Sequence, residues 1–215
     1  FKAHLVRAGD ADSLYLLLFT LAMLAMLKLR ENRRWLLVCG LCFSLAFLTK
    51  SFHAGMIAIV GILFLWLTGQ WKQIRLRLWA GFLAAALVPI LLWAFLRYQY
   101  DGVTFFLQMY EADIAGRTAA GGLEGHGFPL SYYFTSIFWN FNYIYGFLSL
   151  IVLLGILYLL LRPLRNVLVL LCPSDRIGIL LWLLMPLGLF SLVSTKLMWY
   201  VYPCIVPLCL LAAVF

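Results

Sequence analysis

Charge is scarce in this sequence, and it is missing where ion traffic would need it. Only 11% of the residues are Asp, Glu, Lys or Arg, and no ionisable residue falls in the middle of an apolar run. Proton-coupled carriers and pumps place ionisable relays at that depth, so the polar chemistry of this chain belongs at a membrane surface. Acidic residues are the rarer sign, 8 against 16 basic ones. Five cysteines, an odd number lying mainly in apolar runs, imply no disulfide framework. Cys39 and Cys42 make a C-x-x-C inside WLLVCGLC, without a redox or zinc context, and read as small packing residues. There is no internal repeat and no low-complexity tract, so 1–215 reads as one transmembrane domain.

What is abundant is apolar surface. At 66% hydrophobic, the chain exceeds what a soluble core could cover, which makes it an integral membrane protein. With roughly 20 apolar residues needed per crossing, fewer where a helix lies within protein, the runs 13–27, 35–49, 54–68, 78–96, 143–161, 177–194 and 198–215 read as spans. The expected fold is all-α, a polytopic bundle of about seven helices. Pro89, Pro186, Pro203 and Pro207 fall within spans and predict kinks. The chain opens at Phe1 and stops inside an apolar run, so it reads as an internal fragment.

Basic residues collect in alternate connections: Lys28, Arg30, Arg33 and Arg34; Lys72, Arg75 and Arg77; Arg162, Arg165 and Arg176. The positive-inside rule puts these in the cytoplasm. The opposite side receives most of the acidic residues, all three histidines, and the long stretch 97–142 with its glycine cluster. That stretch reads as a long extracytoplasmic loop, and its part 129–141, PLSYYFTSIFWNF, as a short interfacial helix.

Four outer places carry polar groups that packing leaves unexplained. In 4–13, HLVRAGDADS, two carboxylates precede a helix. Capping and a local pair with Arg7 account for them as well as a site role for Asp10 and Asp12 does. In 49–53, TKSFH, Lys50 reads either as a snorkelling anchor or as a cation for an anionic partner. In 194–203, STKLMWYVYP, Lys196 and Tyr200 offer the same choice between a phosphate site and an interfacial anchor. In 125–133, GHGFPLSYY, His126 stands alone, with nothing nearby at the spacing of a complete metal site.

These places resemble the polytopic glycosyltransferases of the C-type fold that use lipid-linked sugars, and within them glycosyltransferase family 39. That family includes bacterial relatives of protein O-mannosyltransferases and the lipid A aminoarabinose transferase. The resemblance rests on H-x-x-R-x-G-D-x-D at 4–12, G-L-x-F-S-L-A-F-L-T-K ending at Lys50, H-x-x-P-x-x-Y-Y at 126–133 and S-T-K-L-x-x-Y-x-x-P at 194–203. It implies transfer of a hexosyl or pentosyl group from a polyprenyl-phosphate donor to a lipid or protein acceptor, with inversion. Such a protein would sit in a bacterial inner membrane with its active site on the extracytoplasmic side.

By the same resemblance Asp10 and Asp12 are catalytic carboxylates, with the main base upstream of Phe1. Arg7, Lys50, Lys196 and Tyr200 would hold the donor phosphate, and His126 would be one ligand of a divalent metal. The implied partners are the donor lipid, the acceptor and the bilayer, with no nucleic acid. A transporter or flippase of lipid-linked material is the alternative.

Overall fold

The computed structural model describes residues 11–118, 126–133, 135, 153 and 173–214, and the elements among them are helical. We label α1 (Ala11–Leu27), α2 (Trp35–Lys50), α3 (Gly55–Thr68), α4 (Leu76–Tyr110), α5 (Pro173–Leu192) and α6 (Ile205–Val214). Among the described residues, four apolar helical stretches are long enough to cross a membrane: Ala11–Arg30, Trp35–Thr68, Leu76–Thr118 and Pro173–Leu192. The second of these folds back on itself. Arg33 before α2 donates to Gln70 after α3 at 2.6 Å and also to Gln73, contacts that a straight helix of that length would place some 50 Å apart.

Leu-, Ala- and Met-rich sequence with an acidic first turn makes α1 a helix, and the chain tightens into a 3-10 turn at Lys28–Arg30 once polar residues arrive. The α2–α3 reversal is a 3-10 turn, Ser51–Ala54, entered through Ser51 at φ 49. α3 stops at Gly69 in the left-handed conformation, and α5 starts on Pro173, where a missing N–H costs nothing.

α1 lies at the centre. Phe19, Ala22 and Leu29 are fully buried with Ala46 of α2 and Trp182 of α5, beside the nearly buried Ile57 and Phe64 of α3. Gly178 of α5 fits here because a Cβ would stand 2.5 Å from Leu27 and 3.1 Å from Phe64. That contact puts the start of α5 beside the ends of α1 and α3. From α1 to α4 the helices therefore alternate in direction, and α5 starts, like α2 and α4, at the end of the bundle that carries the basic connections 28–34 and 69–75.

Two expectations change. The 97–142 stretch is not loop from its start, because α4 runs on through Arg97 and Asp101, an i,i+4 ion pair at 2.6 Å. The chain turns only at Gly102 (φ 62, ψ −152), a conformation open to glycine. Beyond it the helix returns over the bundle end, since Phe105 and Phe106 reach back to within 5.9 and 6.2 Å of Trp93. It continues through a π turn at Glu111–Ala115 and a last turn at Gly116–Thr118. The expected span 198–215 opens instead as a 3-10 segment, Met198–Cys204, before the ten residues of α6. Span 143–161 lies outside the described residues apart from Leu153, as does most of 129–141, of which the helical turn around Tyr132 and Tyr133 is described.

Candidate anion site at the acidic end of the bundle

The end opposite the basic loops gathers side chains from five places in the sequence. Asp12, in the first turn of α1, is buried and paired with Lys50 from the last turn of α2. Its carboxylate, for which the sequence left capping and a site role both open, serves an ion pair between α1 and α2. Next to Lys50, the strained Ser51 donates its hydroxyl to Asp113 of the returning helix. Asp113 also meets Arg117, one turn on, at 3.5 Å. Arg117 in turn donates to the hydroxyl of Tyr200.

Tyr200 is buried between two cations. Its ring centroid lies 5.5 Å from the Lys50 ammonium and 5.7 Å from the Arg117 guanidinium. The edge of the ring meets His53 at 4.7 Å, and His53 stacks on Phe190 at 5.7 Å. The turn carrying His53 is fixed from beneath by Tyr15, whose hydroxyl donates to the His53 carbonyl at 2.8 Å. Lys50 and Arg117 are balanced by Asp12 and Asp113, yet the Arg117 Nε–H is buried with no acceptor among the described residues. A buried donor without a partner is costly, and an anionic oxygen is the group that would satisfy it.

Lys196 stands differently from the sequence reading. It is 3% exposed, and its ammonium donates to the carbonyls of Phe128 at 2.8 Å and Val193 at 2.7 Å. Loss of hydration lowers its pKa below the ordinary lysine value. Its segment is stitched to both neighbours: Thr195 N–H donates to the Arg117 carbonyl, Lys196 N–H to the His126 carbonyl, and Thr195 bridges Gly127. Tyr133, whose hydroxyl donates to the Leu197 carbonyl at 3.1 Å and whose pKa is raised by burial, closes the same staple. Lys196 thus fixes the backbone that supports Arg117 and Tyr200.

His126 takes part through its carbonyl. No group of three or more His, Cys, Asp or Glu side chains able to hold a metal occurs among the described residues, so they complete no donor set around His126. Arg7 and Asp10 lie outside the described residues. Sequence reading gave no role to Ser51, Asp113 or Arg117. The i,i+4 spacing of Asp113 and Arg117 was the available signal, since it puts both on one helical face.

Beside the cluster a cavity of about 360 Å³ runs between α3 and α5, lined by His53, Met56, Ile59, Leu189 and Phe190. Leu192, 71% exposed, and Ile59, 40% exposed, mark its outward side. The chain matches no family model, no curated protein and no solved structure.

Proposed function

We propose that this chain is part of a membrane glycosyltransferase, similar to family 39 of the C-type fold, that moves a sugar from a polyprenyl phosphate to an acceptor hydroxyl at the extracytoplasmic face. The observation that carries the reading is the convergence of Lys50 and Arg117 on Tyr200, with one Arg117 N–H that has no acceptor among the described residues. Two fixed cations in a buried, aromatic setting suit a phosphate whose negative charge grows as the glycosidic bond breaks.

In this reading Arg117, with Lys50 behind it, holds the phosphate, and Tyr200 aligns both cations. The cavity between α3 and α5 takes the first isoprene units of the donor. The bond from the anomeric carbon to the phosphate oxygen breaks, its electron pair stays on the phosphate, and the acceptor oxygen attacks from the opposite side. A carboxylate accepts the acceptor's proton. Asp12, committed to Lys50, tunes that cation, which leaves Asp10 as the candidate base from the same stretch. The basic loops at the other end of the bundle support an extracytoplasmic site, by the positive-inside rule.

The test is release of polyprenyl phosphate by the protein in its native membrane, supplied with a panel of polyprenyl-phosphate sugars. Release from one donor that falls at least about tenfold in Arg117→Gln, the size of a lost charge-assisted hydrogen bond, supports the reading. No release from any donor, with the folded protein moving the lipid across the bilayer, replaces it with a flippase.

A further inference from the structure

The basic end of the bundle carries a second feature that the proposed transfer does not use. An apolar cleft of about 220 Å³ lies among α1, α2, α3 and α4, lined by Met26, Phe43, Ile57, Gly61, Trp79 and Ala86, among others, without a charged residue; it reaches from Leu29, Leu36 and Trp79 near the basic end to Ile57 in the first turn of α3. Its outer side is formed by Ile62, Leu83 and Leu87, which are 66%, 51% and 45% exposed, so it opens sideways between α3 and α4. Both helices are apolar, and α4 belongs to a stretch long enough to cross a membrane, which turns that opening toward hydrocarbon. An apolar cavity of this size does not hold water stably. Lipid chains are what the surroundings offer.

The rim says which lipid. The connections 28–34 and 69–77 hold seven basic residues and one acid, Glu31, which pairs with Lys28 at 3.4 Å. They are brought together by Arg33, whose guanidinium is satisfied by the neutral amides of Gln70 and Gln73, so those bonds leave its charge in place. Lining residues Leu36 and Trp79 stand one turn or less along their helices from Arg33 and Arg75. Lys72 and Arg75 are exposed at the same end. A negative headgroup at the rim and an acyl chain in the cleft would be satisfied together.

We infer that this cleft is a binding site for one anionic phospholipid, with an acyl chain between α3 and α4 and the phosphate on the rim formed by Arg33, Lys72 and Arg75. The basic rim lies at the opposite end of the bundle from the Tyr200 cluster, and the site does not depend on the transfer reaction.

The experiment is native mass spectrometry of the protein in detergent, titrated with phosphatidylglycerol or with phosphatidylcholine of the same chains. One phosphatidylglycerol should be retained at least tenfold more strongly than phosphatidylcholine. Ala58→Trp, which fills the cleft, and the pair Lys72→Gln with Arg75→Gln should each remove that preference while thermal unfolding stays near wild type. Should Ala58→Trp fail to fold, Ile62→Trp at the exposed mouth replaces it. A brominated acyl chain should quench a component of the fluorescence that Trp79→Phe deletes.

Equal retention of the two lipids would overturn the assignment. So would retention that survives filling of the cleft, which would mean a headgroup contact alone. Displacement of phosphatidylglycerol from the cleft by a polyprenyl phosphate would likewise overturn it, assigning the cleft to the donor's tail.

Discussion

Lys50 and Asp12 show how a single residue can be read two ways. A buried ion pair adds little net stability, but removing one partner leaves the other charge buried, at about 3–5 kcal/mol. Lys50→Ala should therefore destabilise the protein, and adding Asp12→Asn should recover much of the loss, as thermal unfolding in detergent would read. Additive effects would mean the two do not interact. Lys196 carries a pH signature. Its folded pKa is lowered, so between that value and the ordinary lysine value the unfolded chain holds a proton that the folded chain lacks. Stability should rise with pH across that alkaline window. Lys196→Met should flatten the rise; a slope unchanged by the substitution would contradict the burial argument. Neutral Lys196 keeps two N–H groups, enough for the Phe128 and Val193 carbonyls.

Among the elements, α2 and α4 cross closely because Gly40 and Gly81 face the partner helix. A Cβ at Gly40 would lie 2.7 Å from the Phe82 carbonyl oxygen, a backbone atom that cannot swing away. Gly40→Val should cost about 1–3 kcal/mol by overpacking. Gly55→Ala, with open space around it, should be neutral or stabilise by up to about 1 kcal/mol. Similar losses at the two positions would deny that the α2–α4 crossing is tight. Gly102→Ala should strain the turn by roughly 1–3 kcal/mol and loosen Asp113 and Arg117. The measurable result is weaker binding of anionic lipid at the Tyr200 end, with the bundle still folded.

At the scale of the whole molecule, apolar runs and polar interruptions were enough to place α1, α2 and α3 within about two residues, because hydrocarbon length and turn chemistry act locally. The expected span 78–96 stopped short at Arg97, where a polar sequence stays helical through an ion pair and turns at a glycine conformation that composition does not reveal. Site legibility followed the same line. Lys50, Asp12 and Tyr200 stood out as polar groups near a surface, whereas Ser51 and Arg117 acquire their places only through the turn at Gly102 and the Thr195 staple. Lys196, conspicuous in sequence, is committed to backbone carbonyls.

The bundle also makes a prediction about sidedness. In a cysteine-free background, Glu111→Cys should react with an impermeant maleimide on intact cells and Lys72→Cys only after lysis. The reverse pattern would place the Tyr200 cluster in the cytoplasm.

If Lys50, Arg117 and Tyr200 form one site for a lipid phosphate, binding affinity reports it. Polyprenyl phosphate and the matching polyprenol, titrated against the detergent-solubilised protein and its Arg117→Gln variant, share a tail and differ in charge. The phosphate should bind wild type at least about tenfold more tightly than the alcohol, and the variant should lose that margin while binding the alcohol unchanged. Equal affinities for phosphate and alcohol in wild type would contradict such a site.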